Sequence, residues 1–435
     1  MKLSNYAWIV RHENTHILYK CHHETLVAIE EPLKELLERG DWEALEEMHP
    51  TFFAYLVERG FLLEDHVDES REVIAEWERE DADHSVYNII INPTMDCNMR
   101  CWYCYEKHEK GSVMSDEMVE TVLRFIEKKV QSPELKQLNL NFFGGEPLLY
   151  YKKVIRPILE RTASLCHNEN KNLYLHITTN GYLLNERVLS SIKSYTSNVV
   201  FQIAIDGNEE VHNKIKYLGG KGDKTYAHIM ENAKSILSQG LYLTLRCNCT
   251  LKNIHSFADV AKELSVLSED EKRYLTIDFQ QVWQDYTNDI PEFHEGCAEV
   301  RKIFQKNDIY VKVDRSIDPR RCYADKDTGV VINYNGYIYS CTAREFNIKR
   351  SEGTLSSSAE LLWNEKKELR RTLRYGNKTC QACSIYPLCH GRCTQMKLDT
   401  GNNTGCICQY SENKKRELIK SRIGFLINNI NKLKL

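Results

Sequence analysis

The chain has 435 residues, 42% hydrophobic and 28% charged. That is ordinary globular composition, with length for two or three domains, and it excludes a disordered or fibrous chain. Its 58 Lys and Arg against 62 Asp and Glu leave a formal net charge of −4. There is no cationic excess to neutralise nucleic-acid phosphates, and no apolar run approaches the ~20 residues that span a bilayer. The opening MKLSNYAWIVRHENTH lacks the apolar centre of a signal peptide. The expectation is a cytoplasmic protein that engages neither nucleic acid nor membrane.

In chain order, residues 1–85 read as a small module of their own. Short β-type runs at Tyr6–Arg11, His16–Tyr19 and Leu26–Ile29 lead into helical patterns at Leu33–Arg39, Trp42–Met48 and Thr51–Arg59. Gly60 closes the last of these, Phe61-Leu62-Leu63 follows, and Asp68–Asp83 is a charged connecting helix. Two or three strands with three short helices predict a winged-helix type of α+β domain.

Residues 86–312 alternate strand and helix. VYNIIINPT, LNLNFFGG, NLYLHITTNG, NVVFQIAIDG, LYLTLRCNCT and LTIDFQQVW are strands. Ser115–Val130, Val154–Cys166, Glu186–Tyr195, Tyr226–Ser238 and Ser256–Leu267 are helices, the first with Ser115 as N-cap. About six βα units imply an α/β fold, a parallel sheet with helical crossovers and chemistry at the carboxyl ends of its strands. Residues 313–411 break this alternation with a Cys-rich region and a hairpin-like VVINYNGYIYSC around Asn335-Gly336. Residues 412–435 form a basic helix whose apolar spacing suits a packed capping helix better than a membrane anchor.

Cysteine is the compositional outlier, with 16 residues. In a cytosolic chain they are not a disulfide framework. Cys21, Cys166, Cys247 and Cys249 suit buried structural positions, whereas three cluster between Cys97 and Cys104 and eight between Cys322 and Cys408. Such clustering points to metal or iron–sulfur ligation. Cys97-x3-Cys101-x2-Cys104 follows the first barrel strand. Three thiolates hold three irons of a 4Fe–4S cubane and leave the fourth open for a small ligand. Zinc is the competing reading, but it favours paired CxxC spacing and a fourth ligand.

With Gly144-Gly145-Glu146-Pro147 after the second strand, Thr179-Asn180-Gly181 after the third and Ile205-Asp206-Gly207 after the fourth, the triad resembles the radical S-adenosylmethionine (SAM) superfamily over residues 88–285. The resemblance implies a partial (β/α)6 TIM-type barrel. It implies that the methionine part of SAM chelates the open iron, and that reductive cleavage yields a 5′-deoxyadenosyl radical that abstracts hydrogen. Gly144 and Gly145 permit close backbone approach to the methionine amine, Glu146 orients polar groups, and Pro147 fixes the turn. Tyr103 resembles the aromatic residue near the adenine, and Thr179 and Asn180 lie on the SAM side. Related enzymes often carry Ser where this chain has Ala204, ahead of Asp206. In the next loop, Val211–Lys216, Lys216 follows His212 and stands where Arg often pairs the SAM carboxylate, without its two-pronged geometry. Arg246, in Arg246-x-Asn248, supplies part of that contact.

Farther on, Cys322-x13-Gly336-x4-Cys341 and Cys380-x2-Cys383-x5-Cys389-x3-Cys393, with Cys406 and Cys408 beyond, resemble the SPASM domain, which holds two auxiliary 4Fe–4S clusters. By that resemblance Cys322, Cys341 and Cys393 hold the first. Its fourth iron is open or taken by Cys408 or Cys297. Cys380, Cys383 and Cys389 hold the second, completed by Cys406 or, as runner-up, Cys408. The cofactors implied are SAM and three 4Fe–4S clusters.

The N-terminal layout resembles the peptide-recognition element of enzymes that modify ribosomally made peptides, which captures a leader by adding it as a strand to a sheet edge. The implied function is a radical SAM peptide maturase that installs a thioether or another intramolecular crosslink. Its partners would be a precursor peptide of leader plus core and a reductant such as flavodoxin or ferredoxin. Two alternatives stand beside it. One is formylglycine formation of the anaerobic sulfatase-maturase type, although the Asp base of those enzymes after the equivalent of Cys341 is Thr342 here. The other is a non-enzymatic iron–sulfur carrier, which has no need of a SAM pocket. No side chain is marked by sequence as a catalytic base.

Overall fold

A computed structural model of the chain describes residues 1–219, 223–285, 291–312, 321–401 and 404–433. They divide into two compact units, Met1–Ala82 with Arg315–Lys326 and Glu368–Leu435, and Asp83–Asp314 with Asp327–Lys367.

In the first unit, β1 (Lys2–Leu3) pairs antiparallel with β5 (Leu62–Leu63). Strands β2 (Ala7–His12), β3 (Thr15–Lys20) and β4 (Thr25–Ile29) form an antiparallel meander in the order β2-β3-β4. Helices Glu31–Arg39, Trp42–Met48 and Pro50–Glu58 follow. Gly40, at φ +70, ends the first of these, and the Asp41 side chain caps the second by accepting from the Ala44 amide. Leu18 and Ile29 of the sheet pack with Leu37, Leu45 and Leu56 of the helices. Helix Glu69–Asp81 brings Val73 and Trp77 to a second core with Trp8, Tyr19 and residues Leu418, Ile419 and Ile423 of helix Glu412–Leu433. The tail is thus a packed helix. No helix of the described residues is long and apolar enough to cross a membrane.

The second unit contains the expected alternation. Strands β6 (Val86–Asn92), β7 (Gln137–Phe142), β8 (Asn172–Thr179), β9 (Val199–Ile205), β10 (Tyr242–Cys249) and β11 (Leu275–Gln281) lie side by side and parallel. Helices cross over between them, so the α/β, partial-barrel expectation stands. Ser115 caps helix Asp116–Val130 by accepting from the Met118 amide. Burial along β9 alternates with period two: Val199, Phe201, Ile203 and Ile205 enter the helix-covered core. Gln202 and Ala204, on the opposite face, line a cavity.

The sheet does not stop at six strands. β12 (Gly329–Asn333) adds parallel to β6, and β13 (Tyr337–Tyr339), β14 (Gly353–Leu355) and β15 (Leu361–Trp363) continue antiparallel. The hairpin around Asn335-Gly336 is the β12–β13 turn, with Gly336 at φ +82. The segment around Val211–Lys216, read as a loop, is instead helix Glu209–Ile215, whose N-cap Asn208 accepts from the Val211 amide. The helix expected from Val154 runs Arg156–Asn168 after a wide turn at Tyr151–Ile155. That expected over Ser256–Leu267 is shorter, Phe257–Leu264.

Candidate active site

The loop after β6 carries Cys97, Cys101 and Cys104, and the three thiols line one cavity of about 200 Å³ at the carboxyl ends of the parallel strands. Burial pushes Cys97 and Cys101 up to about 12 and Cys104 to about 11. Protein surroundings alone therefore keep them as neutral thiols, whereas a bound cation among them reverses that balance. Three thiols on one cavity wall, two half-buried and that of Cys104 on an exposed residue, suit a soft metal centre. The Nε2 of His108 stands 3.5 Å from the Cys104 sulfur.

The Gly144-Gly145 loop lies against the start of this cysteine loop. The Gly145 amide donates to the Thr94 carbonyl at 3.1 Å, and the Glu146 amide to that of Asp96 at 2.8 Å. A Cβ on Gly144, whose φ is +104, would sit 2.5 Å from the Thr94 oxygen, and one on Gly145 would overlap the Asp96 carbonyl. Backbone-on-backbone packing thus requires both glycines, in addition to their place on the cavity wall. Glu146 is fully buried. It accepts from the Leu148 amide (3.0 Å), the Thr179 hydroxyl (2.8 Å) and the Asn180 amide (2.8 Å). Burial raises its carboxyl to about 7, against the pull of those donors. Its part is to position the Thr179-Asn180 turn. The Asn180 side chain in turn donates to Asn98 Oδ1 at 2.7 Å.

On the neighbouring wall a polar chain links the ends of β9 and β10 to the cysteine loop. The Asn248 amide donates to the Tyr103 hydroxyl (2.9 Å), which donates to Asp206 Oδ1 (2.6 Å). Lys216 Nζ stands 3.3 Å from Asp206 Oδ2 and donates to the Ala204 carbonyl at 2.6 Å. Asp206 and Lys216 are both buried, at 0% and 3% exposure, so the pair holds together through low-dielectric attraction. Arg246 Nε donates to Asn248 Oδ1 at 3.1 Å. Tyr103, Ala204, Lys216, Arg246, Thr179 and Asn180 border the cavity; Glu146 and Asp206 stand behind its wall.

Three further features were not singled out from sequence. Glu106 lines the cavity. Burial raises its carboxyl to about 8, and its Oε1 has no hydrogen-bond partner among the described residues. His212, 0% exposed, accepts at Nδ1 from the Asp206 amide at 3.3 Å, and burial lowers it to about 4. Tyr105 and Trp283 stack with centroids 5.8 Å apart, both bordering the cavity. None sits in a motif: a lone acid two residues past a cysteine carries no sequence signal.

Of the C-terminal cysteines, Cys380, Cys383, Cys389, Cys406 and Cys408 all lie in the first unit. Cys380 feels the charges of Cys406, Cys383 and Cys408. Cys389 hydrogen-bonds Cys408, which pulls the Cys408 thiol down, with Arg392 adding to the effect. Both candidates for the last ligand thus act on Cys380, and Cys408 also on Cys389. Cys322 and Cys393 are exposed residues of the same unit, and Cys341, half-buried, belongs to the second unit. Cys297 is 8% exposed in helix Pro291–Lys306 and packs in the core with Cys247 and Cys249.

Residues 91–277 match the Radical SAM superfamily. A serine-type anaerobic sulfatase-maturating enzyme of Klebsiella aerogenes is 22% identical over 364 residues, 74% of this chain and 82% of that protein. A radical SAM cyclopropyl synthase of Paramaledivibacter caminithermalis is 27% identical, but over only 28% of this chain and 30% of its own length. Among solved structures, native anSMEcpe with bound AdoMet superposes with TM-score 0.60 at 17% identity, covering 80% of this chain and 99% of that one. Streptococcus suis SuiB bound to S-adenosylmethionine does so with TM-score 0.50 at 14% identity, covering 94% and 100%. Both are likenesses of fold. The thiol-lined cavity lies within the matched residues and offers a donor set of the kind a 4Fe–4S cluster takes. The chain carries a radical SAM domain over residues 91–277, in a fold of the α/β partial-barrel type.

Proposed function

We propose that the protein is a maturase of a ribosomally made peptide, forming a thioether or another intramolecular crosslink. The observation that carries the reading is the single cavity in which Cys97, Cys101 and Cys104 meet Lys216, Arg246 and Asn180 at the strand ends. Cys97, Cys101 and Cys104 would hold the cluster, and Lys216 and Arg246 offer the cations for the SAM carboxylate. When bound, cluster and SAM together supply the electron and the hydrogen-abstracting group. Tyr103 contributes an aromatic wall whose hydroxyl is already fixed on Asp206, so its ring has one orientation. Gly144 and Gly145 keep the loop flat against residues 94–96, and Glu146 sets the Asn180 turn.

The peptide part of the reading rests on the first unit. In the β2-β3-β4 sheet, the Arg416 side chain of the C-terminal helix reaches the Ile9 carbonyl of β2. Among the described residues no strand pairs with the far side of β4. That edge offers unpaired backbone groups to a leader strand. Cys380, Cys383 and Cys389, with Cys406 or Cys408, would hold an auxiliary cluster, and a flavodoxin or ferredoxin would supply electrons. The relation to a sulfatase-maturating enzyme favours a second reading, formylglycine formation. Thr342 after Cys341 supplies no carboxylate base for it.

The test is anaerobic incubation of reconstituted, reduced protein with SAM and a candidate precursor peptide. Release of 5′-deoxyadenosine with a peptide lighter by two hydrogens and an internal crosslink in its fragmentation supports the proposal. An aldehyde on a sulfatase peptide supports the second reading, and no deoxyadenosine removes both.

A further inference from the structure

Apart from the cysteine sets, one cluster of side chains among the described residues has the chemistry of a metal centre. The turn joining β3 to β4 reads Cys21-His22-His23-Glu24. Its two imidazoles stack, with centroids 3.9 Å apart, and both point their Nε2 at one carboxylate on helix Glu69–Asp81. His22 Nε2 is 2.6 Å and His23 Nε2 is 3.1 Å from Glu76 Oε2. The three ligand atoms all lie within 4.8 Å of one another. Around a tetrahedral zinc with bonds of ~2.0–2.1 Å, neighbouring ligand atoms stand about 3.3 Å apart. Shifts of well under an ångström per side chain would therefore seat an ion.

The backbone makes this arrangement unusual. His23 and Glu24 are consecutive non-glycine residues at φ +64 and +50. Such conformations persist only where the surroundings over-determine them, and they gather at functional sites. Glu24 is held from its own side, accepting from the Tyr19 hydroxyl at 3.2 Å and from Arg422 Nη2 at 2.6 Å. The left-handed turn thus directs one acid back to the C-terminal helix and two histidines forward to Glu76. Side-chain exposures of 16%, 62% and 33% for His22, His23 and Glu76 leave an approach for an ion and a water as fourth ligand.

We infer that His22, His23 and Glu76 form a binding site for a divalent transition metal of zinc type, in a 2-His-1-carboxylate set with one open position. The ion would clamp the β3–β4 turn to helix Glu69–Asp81, both in the first unit. Imidazole with carboxylate suits zinc, and the absence of thiolate separates this site from the cysteine sets by donor type.

The experiment uses the full chain with its iron–sulfur sites reconstituted first, so that the cluster cysteines are occupied. The protein is dialysed against zinc sulfate and then against metal-free buffer. Zinc and iron are counted, and the zinc K-edge absorption is recorded. The expected result is one zinc per chain with a nitrogen/oxygen shell at ~2.0–2.1 Å rather than sulfur at ~2.3 Å. His23→Asn, which tolerates the left-handed backbone, and Glu76→Gln, which keeps an acceptor for the histidines, should each lose that zinc while iron content stays unchanged. No retained zinc, a sulfur shell, or equal zinc in wild type and both variants overturns the inference.

Discussion

A methyl group at position 145 has nowhere to go. Gly145 is needed for closeness alone, because its Cβ would overlap the carbonyl of Asp96, the residue before Cys97, whereas Gly111, at φ +76, has open space around its Cβ. Gly145→Ala should therefore cost about 1–3 kcal/mol of stability, as overpacked sites do, and should lower iron retention in the site of Cys97, Cys101 and Cys104. Gly111→Ala should cost only the ~1 kcal/mol of a left-handed backbone and leave iron unchanged. Melting and iron counts on the two variants separate them, and equal iron loss would mean that the Asp96 contact does not set the cysteine loop. The buried Lys216–Asp206 pair gives a second case. Lys216→Met leaves the Asp206 carboxylate buried without its cation, a loss of about 3–5 kcal/mol. On the proposed function it would also remove one of the two cations for the SAM carboxylate. Lys216→Arg keeps the charge and should recover most of the stability, read as the unfolding midpoint. If Lys216→Met unfolds no more easily than wild type, the Lys216–Asp206 contact contributes nothing to holding the fold.

Helices and strands raise a different question, that of which pairings local sequence can encode. The six parallel strands and their helices were legible because each is a contiguous run with apolar residues at strand or helix spacing. Cys97–Cys104 and Gly144–Glu146 were legible because their donors are consecutive. The parallel addition of β12 to β6, pairing Val331 with Ile90, joins residues far apart in the chain, and no local pattern announces it. Glu106 and the His22–His23–Glu76 cluster were missed for the same reason: each acquires meaning only from what folding brings beside it. Helix Glu209–Ile215 was taken for a loop because its seven residues are mostly polar, yet Asn208 caps it and His212 anchors it in the interior. Burial depresses His212 to about 4, so the native chain keeps it neutral while the unfolded chain protonates near 6.5. Stability is full above that value and falls as pH drops through the window from ~6.5 to ~4, by about 2 kcal/mol between about pH 7 and pH 5. His212→Asn, able to accept from the Asp206 amide, should flatten that part of the pH–stability curve of the metal-free chain. An unchanged slope would assign the effect to other groups. At the β4 edge, a bound leader should slow amide hydrogen–deuterium exchange at Thr25–Ile29, because a paired strand protects its neighbour's amides. Protection elsewhere in the unit, with none at β4, would place the peptide on another surface.

Across the whole molecule, the two cysteine-rich regions differ in how deeply they enter the fold. Cys97, Cys101 and Cys104 sit on a loop at the strand ends, where Cys97 packs against the rim of the second unit's hydrophobic core and none of the three is one of its buried members. Cys380 is instead buried in the first unit's core beside Trp8, Trp77 and Tyr386, with Cys383 and Cys389 packed against it. Where ligands are part of a core, metal binding and folding are coupled; where they ride on a loop, they separate. Replacing Cys97, Cys101 and Cys104 together by Ala should remove about four of about twelve irons from reconstituted protein, abolish SAM cleavage and leave the melting profile nearly unchanged. Replacing Cys380 and Cys389 by Ser should remove a similar amount of iron. It should also lower the midpoint of the transition that exposes Trp8 and Trp77, read by tryptophan fluorescence, because a buried core then loses both its packing and its metal. If both sets of substitutions cost iron but neither moves that transition, the C-terminal cluster is an appendage to the first unit and not part of what holds helix Glu69–Asp81 against the C-terminal helix.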